Sequence, residues 1–312
     1  MTTSERFGAA AADMRERRPP NSAPDANAEQ ESAPVTVSAT SSSALLDARL
    51  WSEHSPWRIS AAWSLAAAAL VVGIGEVSQS VSPQTLVLLF LLVDPLWGNI
   101  WGGLATPEAL PSIRLSLQHR RPWLPYLAMG SPAARVLGMH GPSVLAILTR
   151  AWLPCVVVAF AAAAAVGMPA VWATLVVLGL ALTAWLQRHV ALIPASVLHS
   201  LVVVAAPWFM GLTLFGLDPW NGLYWALILL WTLHVWCANS SLDNPGALGG
   251  LAGMAVAQAG IALLLIFGRA PLALAVLCIL WLATWVAVYR GQPLQNIQAS
   301  WTAALLVSAA AM

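Results

Sequence analysis

The chain has 312 residues, of which 59% are hydrophobic and only 9% charged, against about 25% charged residues in an average soluble domain. That leaves too little polar surface to cover a water-soluble globule, and a net charge of +1 built from 14 basic residues, all arginine, excludes the extended basic face that grips nucleic acid. Cys155, Cys237 and Cys278 stand singly within apolar runs, with no CxxC or Cys/His motif, and read as packing residues rather than a metal or redox centre.

Residues 1–43 are rich in Ala, Ser, Pro, Glu and Asn, too poor in apolar groups to offset the entropy of ordering, and are expected to form a disordered tail. No apolar core of a secretory signal lies within them, so the tail is expected to stay attached and cytoplasmic. In residues 44–56, Leu45, Leu46, Leu50 and Trp51 alternate with Asp47, Arg49 and Glu53, a rhythm that fits either a short interfacial helix or a plain juxtamembrane linker.

From Trp57 onward the chain is a series of apolar runs, each long enough for a hydrocarbon core of about 30 Å at about 1.5 Å per residue. They are Trp57 to Val77, Thr85 to Leu104, Val144 to Val166, Pro169 to Leu186, Val190 to Phe215, Trp220 to Cys237, Leu248 to Phe267, Pro271 to Tyr289 and Leu294 to Met312. The expected fold is therefore all-α, a polytopic membrane bundle of about nine transmembrane helices over residues 57–312.

The connection from Ala105 to Gly141 is too polar and proline-broken to span, and it carries Arg114, Arg120, Arg121 and Arg135. Arginine near helix ends marks the cytoplasmic side. Strict alternation then puts the N-terminus, Arg58, Arg188 and Arg290 inside and the C-terminus outside, with Arg269 alone against the rule. Tryptophans near the expected helix ends, such as Trp57, Trp101, Trp152, Trp220 and Trp301, read as interfacial anchors and packing groups.

This orientation brings two polar connections to one face. The first supplies Asp94, Asn99, Glu108, Arg114, His119, Arg120 and Arg121; the second supplies Asn239, Asp243 and Asn244, with Arg188 and His189 at the same level. Asp94 and Asp243 offer carboxylate oxygens of the kind magnesium prefers. The arginines suit phosphate, or serve only to set orientation. His199, His234 and Gln258 fall near the middles of the fifth, sixth and seventh runs. Polar groups at that depth mark functional sites, hydrogen bonds between helices or, for histidine, axial ligation of a pigment metal.

Nine helices, an inward N-terminus and polar cytoplasmic loops after helices two and six resemble the UbiA-type intramembrane prenyltransferases. The stretch RRPWLPYLAMGSPAARVLGM, with Gly130, Ser131, Pro132 and Ala134, is similar to that family's segment between an Arg-Pro pair and an alanine-rich helix start. Of the family's first Asp-rich motif, DPLWGNIWGGLATPE keeps Asn99; at the second, CANSSLDNPG offers Asn239 and Asp243. The resemblance implies transfer of a prenyl group from an isoprenoid diphosphate to a lipophilic acceptor. In that reading Asn99, Asn239, Arg114, Arg120, Arg121 and Arg188 hold substrate, while Asp94 and Asp243 hold Mg2+. The reduced motifs leave open a non-catalytic descendant that binds an isoprenoid, quinone or pigment or serves in a membrane-protein complex. A transporter ranks behind both, because no paired repeat is visible.

Topology is checked by cysteine accessibility: in intact cells a cysteine at Ser82 should react with an impermeant maleimide and one at Ser116 should not, and the reverse pattern would refute the orientation.

Overall fold

A computed structural model describes residues 57–105, 152–187, 193–218, 220–243 and 248–312. The expected tail, the juxtamembrane segment up to residue 56 and most of the long polar loop lie outside the described residues. Within them all regular structure is helical. In chain order the helices are α1 (Ala61–Val72), α2 (Ile74–Ser80), α3 (Pro83–Leu104), α4 (Leu153–Val166), α5 (Met168–Leu186), α6 (Ala195–Leu214), α7 (Gly222–Asp243), α8 (Leu248–Phe267), α9 (Pro271–Tyr289) and α10 (Gln298–Ala310).

Six of these, α3 and α5 to α9, are long and apolar enough to cross a membrane. The expected first span is interrupted. Gly73 adopts φ +98°, open to a residue without Cβ, and the chain turns by 99° from α1 into α2. With 12 residues, α1 reaches only about 18 Å, short of the roughly 30 Å hydrocarbon core. The described part of the third run, α4, has 14 residues, and α10 has 13. The sixth run is longer than expected: α7 continues through Asn239 to Asp243, so both residues belong to helix rather than to a loop.

Local sequence accounts for the helix starts. Proline occupies the first turn of α3, α4, α5 and α9, where its missing N–H costs nothing, and the Ser82 side chain accepts from the Thr85 N–H at 3.2 Å. Inside α3 the ladder widens to a π-turn over Leu92–Leu96 around Pro95, and α6 has a second π-turn over Leu201–Ala205. A proline inside a helix gives no N–H to the ladder, which frees a carbonyl about one turn before it. Three carbonyls at or after Pro95 accept side-chain donors: Pro95 from Asn99 Nδ2 at 2.7 Å, Leu96 from Cys155 Sγ at 3.6 Å and Ile100 from Trp152 Nε1 at 3.3 Å.

Without a hydrophobic driving force between helices in lipid, association depends on close packing and interhelical hydrogen bonds. The antiparallel pair α7 and α8 packs on small residues: a Cβ added to Gly250 would strike Ser241, one at Gly253 would strike Cys237, and one at Gly260 would come within 2.6 Å of Leu230. Elsewhere indoles make the bonds. Trp97 Nε1 donates to Thr174 Oγ1 at 3.2 Å, joining α3 to α5, and Trp285 Nε1 donates to Gln258 Oε1 at 3.0 Å, joining α9 to α8.

Gly253→Val should therefore force α7 and α8 apart and cost about 1–3 kcal/mol as overpacking. Gly179→Ala, where a Cβ meets nothing within 4 Å, should be neutral or stabilising by up to about 1 kcal/mol as a helix-interior gain. Thermal unfolding of both variants in detergent micelles checks the contrast.

Candidate functional site

The polar residues gather where three helix ends meet. Thr302 Oγ1, in the first turns of α10, donates to the Trp57 carbonyl at 2.6 Å, which sets the starts of α1 and α10 side by side. Trp231 Nε1 of α7 donates to Ser308 Oγ near the far end of α10 at 2.9 Å, so α7 runs antiparallel to α10 and brings its last turns to the same end. Between these ends lies a crevice lined by Arg58, Ile59, Val235, Ala238, Asn239, Gln298 and Trp301. It has room for about one water.

Arg58 is the charged group at its mouth. The residue is exposed, and its Nη2 donates to Asn239 Oδ1 at 3.0 Å. The guanidinium also lies close enough for its charge to act on the ring of His199, which packs at 5.5 Å on the buried indole of Trp101. Arg58, Asn239 and His199 thus bring the entry to α1, the end of α7 and the start of α6 to one place. Gln298 opens α10, and Ile59 lies two residues before α1. The N–H groups that begin both helices face this end, and each helix start carries about half a positive charge.

Deeper in, α7 and α10 share an aromatic layer. The ring of His234 meets Trp231 edge-on at 5.2 Å and 74°, and Trp301 at 5.5 Å and 88°. Trp301 Nε1 donates to Thr284 Oγ1 of α9 at 2.8 Å, and His234, Thr284 and Ser308 are wholly buried.

The expected site residues separate into groups. Asn239 lies at the crevice. Asn99 spends its amide N–H on the Pro95 carbonyl of its own helix. Asp94 is wholly buried inside the π-turn of α3, ten residues and so about 15 Å before the helix end. His199 lies in the first two turns of α6 rather than at mid-span, because that helix begins only at Ala195. His234 and Gln258 are at mid-span and buried, as read from the sequence. Arg114, Arg120, Arg121, Arg188, Glu108, His119, His189 and Asn244 lie outside the described residues, and Asp243 is described only as the last residue of α7. Arg58 and Gln298 were missed as site residues. Arg58 read as an orientation charge and Gln298 as the edge of a span; the signal available was that each sits just where a helix begins.

Among the described residues no three His, Cys, Asp or Glu side chains are grouped to hold a metal ion. The crevice itself suits an anion better than a cation. Its carbonyl-type ligand, Asn239 Oδ1, already accepts from a guanidinium, and a magnesium ion there would meet Arg58 and two helix starts of like sign. The described residues therefore do not fit a magnesium site.

No family model, curated protein or solved structure matches the chain.

The Trp301 to Thr284 bond is open to a double-mutant cycle. With Trp301→Phe and Thr284→Val, unfolding in micelles should give a coupling on the order of 0.6 kcal/mol, the typical interhelical value in a membrane bundle; zero coupling would mean that the bond adds nothing.

Proposed function

We propose that the chain is a divergent UbiA-like membrane protein of about nine spans, N-terminus in the cytoplasm, that binds an isoprenoid diphosphate with its head group on exposed Arg58 at the mouth of the crevice and its tail along the bundle. The observation that carries this reading is the coincidence of Arg58 and Asn239 with the starts of α1 and α10 at one crevice. A guanidinium and helix N-termini are the groups that hold phosphate oxygens without a metal. Layout supports the family assignment: a helix lies within each of the nine runs, although α1, α4 and α10 are short.

Prenyl transfer to a lipophilic acceptor is the reaction such binding would serve. In this chain Arg58 takes charge from the head group, Asn239 fixes the guanidinium in place, and the apolar bundle keeps water from the reacting end. The enclosure of Asp94 and the tie of Asn99 to the Pro95 carbonyl of its own helix favour, as second reading, a non-catalytic descendant that carries the isoprenoid or a quinone within a membrane complex.

The test is titration of the purified full chain in micelles with a non-hydrolysable prenyl diphosphate, with and without magnesium. Binding should be saturable and independent of magnesium, and Arg58→Gln should weaken it about tenfold, as loss of a charge-assisted hydrogen bond requires. Magnesium-dependent binding lost in Asp243→Asn would restore the metal-dependent transferase in its place. Absence of binding in either condition would sink the diphosphate reading.

A further inference from the structure

His234 stands at the middle of α7 with no exposed surface, and among the described residues neither Nδ1 nor Nε2 has a hydrogen-bond partner. A neutral imidazole carries one N–H and one lone pair, and leaving both unpaired within a membrane bundle is costly. Its two aromatic neighbours cannot relieve it. An indole nitrogen only donates, and both donors are committed elsewhere, Trp231 to Ser308 and Trp301 to Thr284. Trp301 has a second side: it lines the crevice at the bundle end. One indole therefore touches both the buried imidazole and the opening, and Val235, next in sequence to His234, lines that opening too.

Size and polarity restrict what can pair with the ring. A tetrapyrrole on His234 would need a slot several hundred Å3 in volume, whereas the imidazole is fully enclosed and the crevice has room for about one water. Axial ligation of a pigment is thereby excluded at this histidine. A single oxygen that donates or accepts is the group of the right size and chemistry.

We propose that His234 is the inner hydrogen-bonding group of a binding site for one buried water molecule, reached from the crevice past Trp301. The site uses no phosphate and stands apart from the diphosphate reading at Arg58.

The experiment uses the full chain, labelled with 15N-histidine, in detergent micelles. Long-range proton–nitrogen spectra report each of the six imidazoles, and His234→Gln assigns the one in question. The proposal predicts an exchange cross-peak between the His234 imidazole proton and water that a decyl-tailed benzoquinone leaves unchanged. A saturable quinone-induced shift of several ppm at a His234 nitrogen would overturn it in favour of an organic guest, and a spectrum with neither cross-peak nor shift would overturn it outright. That last outcome would leave a dry packing residue, for which His234→Phe should be at least as heat-stable as the native chain.

Discussion

An indole N–H in hydrocarbon is costly to leave unpaired, and much of this structure follows from that cost. Water is absent at the depth of a membrane span, so each buried donor has to find an oxygen on another helix or remain unpaired. Five indoles reach one across helix boundaries, at Thr174, the Ile100 carbonyl, Ser308, Gln258 and Thr284, while the buried N–H groups of Trp208 and Trp281 have no partner among the described residues. Three of these bonds link α7 to α10, α10 to α9 and α9 to α8 in sequence, so the helices around His234 are joined by side-chain hydrogen bonds as well as by packing. His234 meets two of these indoles edge-on, and its ring nitrogens have no partner among the described residues.

The π-turn of α3 also draws on side-chain donors. Pro95 removes the donor of a carbonyl about one turn earlier, and at and beyond it the side chains of Asn99, Cys155 and Trp152 donate to the carbonyls of Pro95, Leu96 and Ile100. Asn99 is in this respect part of the helix that carries it. Its amide has a second N–H and an oxygen, yet its position is set by the Pro95 carbonyl and not by the bundle end where Asn239 lies.

Apolar length was readable because it is a local property: α5, α8 and α9 begin and end within a residue or two of the expected limits. Where limits failed, a local rule was overridden. Gly73 ends α1 inside an otherwise apolar run, since a left-handed turn needs only one residue without Cβ. Asn239 and Asp243 extend α7 because a helical backbone satisfies itself whatever the polarity of its side chains. The tryptophans were legible as packing groups but not as donors. Trp97 and Trp231 each bond to a hydroxyl 77 residues away, a separation no periodicity reports. Trp101 and Trp301 lie near helix ends as anchors would, yet both are buried in the bundle, whereas Trp57 and Trp220 are exposed.

The crevice and the scarcity of carboxylates around it are two sides of one electrostatic condition. A diphosphate can be held through magnesium, which requires several carboxylates converging on the ion, or directly, which requires positive groups to occupy the same space. The two solutions exclude each other at a single spot, since a guanidinium beside a divalent cation is repelled by the charge it would replace. Here Arg58 is tied to Asn239, the residue that would stand in a magnesium motif, and the starts of α1 and α10 add to its potential. In such a field additional carboxylates would neutralise the arginine rather than collect a metal. If the proposed head group is held here, the lack of further carboxylates beside Asn239 is what direct binding demands.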